Sequence, residues 1–396
     1  MEQITLVLAL AGVFYVLIPG AGAFAVRNRW RRFRHRLTQA SRLRQADYRQ
    51  LRRSSTVSDG ERLGSFRFFG TLEAIQGNDT IWLKDGRVSF ACSMTRVTVF
   101  LLPAGGMLNP EEAGGYSFPD ETPSSVRWDS LSSLTEGTGI FVAGSLFAMG
   151  GKPTFRDSED ERLLVILYDG APRTLLRRSI WSGRQRNEYW NQLTPASLAA
   201  GTLSLGLSAY LFLRGPLLRL PAILGLGFSV VPVLPLFPPA VPLFFLYRGL
   251  WKRGRIFRAQ RDLLRLPLRY FDSNGEREAE LPDGERYGWK QIGREEAMRL
   301  VRRGAVYQDV PRGSGGDGFP TYRVYGTFDE ERPNAAVRKP EDPMAELVVV
   351  PGNPARLSKS AQRRARWAEL AAVTAFVSGL GINLYLALVL LSRVIH

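Results

Sequence analysis

Histidine and cysteine are nearly missing from this chain: His35, His396 and Cys92 are all that occur in 396 residues. A single cysteine cannot close an intramolecular disulfide, and this set cannot build a His/Cys zinc site or most histidine-based catalytic triads. No phosphate-cradling P-loop is present. Gly225 and Gly227 form a G-x-G pair, but it lies inside an apolar run with no strand before it, so it is not a dinucleotide fingerprint. The acidic run at 157–161 is more simply a solvated turn after Pro153 than a pair of working carboxylates. No cofactor and no metal is expected, and an enzyme, though not excluded, has no support in the residues.

Charge is missing too, but only in blocks. Residues 3–26, 189–213, 220–247 and 370–392 contain no Asp, Glu, Lys or Arg. Each block is long enough to cross a hydrocarbon core of ~30 Å at ~1.5 Å per helical residue. The first is not a cleaved leader, in spite of Ala23-Phe24-Ala25, because the positive residues follow the apolar run and Glu2 precedes it. The third carries Pro232, Pro235, Pro238, Pro239 and Pro242, so a helix there must kink or break. In the second, Ala196, Ala200, Ser204 and Ser208 recur every four residues, a stripe that suits close packing against another span of the same chain, with homo-oligomerisation as the alternative.

The net charge of +16 is equally concentrated. Residues 27–53 hold eleven arginines against one aspartate, residues 248–269 are net +7 and residues 356–366 net +5, so the rest of the chain is net −6. The three basic segments follow the first block, follow the third and precede the fourth. With four spans they fall on one side, which places both soluble stretches in the cytoplasm and both termini outside a bacterial inner membrane. Anionic lipid head groups are the natural partners of the basic segments, the one at 250–269 being an amphipathic helix on the leaflet. Nucleic acid is a poor partner, because the soluble stretches are acidic: 14 basic against 17 acidic residues in 54–188, and 12 against 16 in 270–355.

Between 64 and 170 the pattern is β, with an alternating aromatic stretch at 65–75, a hairpin turned on Asp85-Gly86, further strands at 96–102, 139–147 and 163–168, and a loop at 103–125. Five or six short strands in this length suit a small closed barrel. The run from Leu134 to Gly144, two glycines around alternating apolar residues, resembles the corner-turning strand of OB-fold domains. With an anchor before it and a helical hairpin after it, the chain is similar to uncharacterised bacterial integral-membrane proteins with a membrane-adjacent OB-like module. That resemblance implies no catalytic residues. Surface aromatics among Phe66, Phe68, Phe69, Trp82 and Phe90 could stack on single strands, though filling the barrel is the simpler use. The second soluble stretch offers a helix at 295–303, strands at 322–328 and 347–350, and loops at 313–318 and 330–343. Residues 66–73 and 322–329 match type for type, which suggests either an internal repeat or two strands with one shared need for glycine.

The fold class expected is therefore an α+β membrane protein with about four transmembrane helices, a cytoplasmic OB-like small β-barrel and a second small α+β cytoplasmic domain. The divisions are an anchor at 1–26, a basic juxtamembrane helix at 27–53, the OB-like domain at 54–180, a polar stem at 181–192, a helical hairpin at 193–249 whose second span is broken by proline, the basic helix at 250–269, the α+β domain at 270–366 and a last span at 367–393. The candidate interaction residues are Arg184, Gln185, Arg186, Asn187, Glu188 and Asn191, because three amides beside these charges exceed what interfacial Tyr189 and Trp190 require. Docking or assembly with a protein partner is the function these features favour. A transporter or channel subunit built on the proline-broken block is the alternative.

Overall fold

The computed structural model describes residues 2–86, 88–102, 122–131, 133–215, 218–271, 277–308, 321–328 and 337–395. The chain begins with α1 (Glu2–Gly12), a π turn (Val13–Leu17), α2 (Ile18–Ala40) and α3 (Tyr48–Ser54). Strands β1 (Arg62–Gln76), β2 (Thr80–Asp85), β3 (Val88–Ser93), β4 (Thr98–Leu101), β5 (Ser124–Arg127), β6 (Gly139–Met149), β7 (Lys152–Phe155) and β8 (Leu164–Tyr168) follow. Then come α4 (Leu175–Gln185), α5 (Leu193–Leu213), α6 (Arg219–Ser229) and α7 (Val241–Arg265). The chain closes with β9 (Glu278–Glu280), β10 (Arg286–Ile292), α8 (Arg294–Arg302), β11 (Val306–Tyr307), β12 (Tyr322–Thr327), β13 (Val348–Pro351) and α9 (Pro354–Ile395). Two units emerge, one of Met1–Arg32, Asn187–Phe257 and Arg363–His396, the other of Phe33–Arg186 and Arg258–Gln362.

The first unit is helical. Three helices are long and apolar enough to cross a membrane, Glu2–Ala40, Leu193–Leu213 and Pro354–Ile395, and the chain is accordingly a membrane protein of mixed α+β structure. Pro19 has no N–H to return to the preceding turn, and the helix widens into its π turn just before it. The carbonyl of Phe14 there accepts a hydrogen bond from Ser197 Oγ at 2.5 Å. Val7 and Ala11 of α1 bury against Leu205 of α5, with Leu224 and Phe228 of α6 packed around them. The buried face of α5 is Thr194, Ser197, Gly201, Leu205 and Ala209, while Ala196 is exposed and Ala200, Ser204 and Ser208 are half-buried. Packing thus uses the row of residues one position beyond the stripe of small residues.

The third uncharged block forms two helices, with α6 ending at Ser229, a 3₁₀ turn at Leu234–Leu236, and α7 starting at Val241. α7 then runs without interruption through the basic residues to Arg265, as α9 runs from its basic start into its apolar end.

The second unit contains both sheets. In the larger, the order is β1-β2-β3-β7-β6-β8-β4-β5, and β1 also pairs with β6, so the pairings β1-β2-β3-β7-β6 return to β1. Antiparallel neighbours make up this ring except for β3 and β7, which run parallel. Gly144 has φ +155° at the point where β6 leaves β8 for β7, and a side chain there would press on Leu163. Phe68, Phe90 and Phe155 fill the interior with Ile81, Leu83 and Val142, all 0 % exposed. Phe69 is buried as well, and Trp82 is half-buried beneath Lys152.

The smaller sheet has the order β11-β13-β12-β10-β9. Strands β9, β10 and β11 lie where the sequence suggested none: β9 is three residues long and β11 two, too short to show a period. Residues 66–73 and 322–327 occupy β1 and β12, and in both a Cβ on the glycine, Gly70 or Gly326, would strike a neighbour. Both strands have antiparallel neighbours, but the sheets around them differ in strand order. The expected loop at 313–318 lies outside the described residues, as do most of that at 103–125 and the first half of that at 330–343.

Candidate interaction site

The polar stem is divided between the units, and each half has its own chemistry. α4 carries the first half. Its Arg184, with a side chain 14 % exposed, directs Nε and Nη2 onto Asp262 Oδ2 of α7 at 2.7 and 2.5 Å. Arg261 takes the other oxygen, Oδ1, through Nε and Nη2 at 2.8 and 2.6 Å. Burial opposes ionisation of Asp262, but the two guanidiniums outweigh it and hold the carboxyl below its usual range. Gln185 is buried, and Arg186 is half-buried. Arg34 of α2 donates to the carbonyl of Gly183 at 3.1 Å.

Upstream on α4 the same residue type is used again. Arg178 binds the carbonyl and carboxylate of Asp169 beyond β8, at 2.5 and 2.6 Å. Arg177 reaches Gln308 Oε1 at 2.7 Å and Glu346 Oε2 at 3.3 Å, next to the strands of the smaller sheet. Burial raises the Glu346 carboxyl, with Arg177 pulling the other way. Arg173, just before α4, donates to the carbonyls of Pro340 and Glu341. From the larger sheet, Arg67 of β1 meets Asp342 Oδ1 at 2.6 Å with both side chains 0 % exposed, and Asp283 at 3.8 Å. Its Nη1 donates to the carbonyl of Ser41 at 2.8 Å. Arg269 binds the carbonyl of Met344 at 2.6 Å. The two sheets are thus tied by arginines from α4 and β1 to one segment, residues 340–346, that follows β12.

The second half of the stem lies in the helical unit. Asn187 Oδ1 accepts from the Tyr189 amide at 3.1 Å, a local turn. Asn191 is buried; its Oδ1 accepts from the Leu193 amide at 3.0 Å, and its Nδ2 donates to the carbonyls of Pro19 and Glu188, each at 3.3 Å. Thr194 Oγ1 donates to the carbonyl of Tyr189 at 2.8 Å. A Cβ on Gly22 of α2 would collide with the Asn191 amide, so glycine there makes room for it. Glu188 is half-buried, and Tyr189 and Trp190 are exposed at 50 % and 63 %.

Of the six candidate residues, Arg184 and Asn191 therefore hold the chain together, Gln185 is enclosed, Asn187 shapes a turn, and Arg186 and Glu188 keep a partly open side. Arg67, Arg177, Asp342 and Glu346 were not readable from the sequence. The one local hint was the arginine spacing 173, 177, 184, which puts three guanidiniums on one helical face with an acid at i+4 of Arg184 alone, Glu188.

No protein-family model matches this chain, and neither a curated protein nor a solved structure does so.

Proposed function

We propose that this membrane protein is a non-enzymatic docking or assembly platform of a bacterial inner membrane, with its sheet-containing unit on the cytoplasmic side and both termini outside. The supporting observation is the use of α4: Arg177 and Arg184 are directed inward onto Glu346 and Asp262, and the buried Arg178 is held by the more exposed Asp169. That arrangement fixes two sheets as one body and leaves recognition to the outer surface. The larger sheet fits an OB-like barrel, its ring β1-β2-β3-β7-β6 turning a corner at Gly144.

A fourth crossing is assigned to α6 and α7 together. Eleven residues of α6 reach only about 16 Å, roughly half the hydrocarbon core, so the crossing is discontinuous. Exposed Arg27, Arg29, Arg31, Arg248, Arg253 and Arg366 adjoin the apolar segments and face anionic head groups, each contributing about 1 kcal/mol before screening. Transport is the weaker reading. The carbonyls of Ser229, Leu234 and Phe237, which a broken helix would offer to an ion, already accept hydrogen bonds from Thr202 and Asn383.

Photo-crosslinking amino acids at positions 186 and 190 in living cells test this. A discrete protein adduct, lost when residue 187 or 188 is also changed, is the expected result. Absence of adducts together with substrate-dependent flux in proteoliposomes would replace docking by transport.

A further inference from the structure

We propose that a cavity on the smaller sheet binds a phosphate ester. It measures about 440 Å³ and is lined by Gln291, Thr321, Arg323, Asn353, Arg356 and Ser360, with Gly352 and Leu357 completing its wall. The volume falls in the ~300–1,000 Å³ range of small-molecule sites. Among the described residues no carboxylate lines it.

Two guanidiniums define the chemistry. Arg323 projects from β12 beside Gln291 of β10, its register partner, and its guanidinium carbon lies 4.1 Å from the centroid of the Trp289 ring. Stacking fixes the plane of the fork; part of it is turned to the Tyr325 hydroxyl, and its remaining N–H groups can meet an oxyanion. Arg356 enters from α9 and is exposed. Neither arginine forms an ion pair with a carboxylate among the described residues. That sets them apart from Arg67, Arg177, Arg178 and Arg184, each of which has an acidic partner.

The remaining polar lining, a hydroxyl from Thr321 and Ser360 and an amide from Gln291 and Asn353, supplies donors from other directions. Asn353 Oδ1 is already occupied by the Ala355 amide at 3.0 Å, which leaves its NH₂ as a donor. Donors converging from several sides suit a tetrahedral oxyanion better than a planar carboxylate, and the volume beyond the anion has room for the group it is esterified to. Both a lipid head group and a soluble phosphate ester carry this chemistry.

The test uses the full chain in phosphatidylcholine nanodiscs at low salt, titrated with glycerol 3-phosphate by calorimetry. A parallel arm measures retention of phosphatidylglycerol by native mass spectrometry. Arg323→Gln and Arg356→Gln are each expected to weaken binding of one probe by about tenfold or more, the loss of one charge-assisted fork. Arg323→Lys should fall between wild type and Arg323→Gln. Arg277→Gln, which removes the cation 5.7 Å from the same Trp289 ring but outside the cavity, should change nothing. Loss confined to glycerol 3-phosphate marks a soluble ligand, and loss confined to phosphatidylglycerol marks a lipid. The proposal falls if both probes bind Arg323→Gln and Arg356→Gln as they bind wild type, or if Arg277→Gln causes the same loss.

Discussion

In the helical unit the buried polar side chains are neutral and turn to backbone carbonyls, Ser197 to Phe14, Asn383 to Leu234 and Phe237, and Asn191 to Pro19, as half-buried Thr202 does to Ser229. The sheet-containing unit buries neutral polar groups too, but it also encloses charged side chains that turn to one another, as in Arg67 with Asp342, Arg177 with Glu346 and Arg184 with Asp262. The two solvents explain the difference. In hydrocarbon, proline and helix breaks strand carbonyls that water cannot reach, and an uncharged amide or hydroxyl satisfies them at low desolvation cost. Where water surrounds the unit, charge can be buried if it is paired, and the pairing sets which surfaces may meet.

The largest effect should come from unpairing Arg67. Replacing it by methionine leaves Asp342 buried and uncompensated, an expected loss of about 3–5 kcal/mol in unfolding free energy. Adding Asp342→Leu should recover most of it. Thermal unfolding of the detergent-solubilised chain reads both, and a double variant no more stable than Arg67→Met would show that the pair also fixes how the sheets meet.

Asp262→Asn comes next, because it leaves Arg184 with a side chain only 14 % exposed and no anion; about 1.5–3 kcal/mol is expected. The sign with pH is definite. The Asp262 carboxyl sits below its unfolded value, so its contribution is complete above the ordinary aspartate range, about 3.9, and fades as pH falls through the lower folded value. Wild type and Asp262→Asn should therefore converge in acid. A difference that is constant with pH would mean that packing, not charge, is what the substitution removes.

How much of this could be read beforehand divides along the same line. Lipid excludes charge, so the four uncharged blocks and their basic flanks were visible in one dimension, as was the proline-dense stretch where α6 and α7 part. The hairpin at Asp85-Gly86 and the long strand containing Gly144 were visible because period and turn chemistry are local. Ion pairs are not local: Arg67 and Asp342 are 275 positions apart, and nothing near either residue announces the other. Arg184 and Asn191 were singled out by composition alone, three amides beside charged residues, and composition does not show the hydrogen bonds they make within the chain, to Asp262 and to the carbonyl of Pro19.

On the membrane side, Gly22→Ala should cost about 1 kcal/mol, the low end for overpacking, because the atoms it meets are the end of the flexible Asn191 side chain. Combining it with Asn191→Ala relieves the clash, and non-additivity in a double-mutant cycle is the readout. Asn383→Leu should lose about 0.6 kcal/mol, typical of a hydrogen bond between spans, measured by unfolding in mixed micelles. A loss several times larger would give the broken block a weight that the neutral amide does not explain.

The smallest effect should have the opposite sign. Asp283 lies 3.8 Å from Arg67, yet its carboxyl is raised above the ordinary value, first by burial and then by the negative charge of Asp342, with Arg67 only partly offsetting them. A carboxyl whose folded value exceeds its unfolded one is ionised at a cost in the folded state at any pH above both. Asp283→Asn removes that cost, so the variant should be slightly more stable than wild type at neutral pH, and its advantage should shrink as pH falls through the raised folded value, where wild type takes up the proton. The side chain is 36 % exposed, so solvent screens most of the effect and the gain should amount to a small rise in unfolding temperature. Unfolding scans of the two proteins from neutral to acidic pH decide the matter. A variant less stable than wild type at neutral pH would mean that Asp283 is a true partner of Arg67, and that the arginine is shared between two carboxylates rather than owned by Asp342.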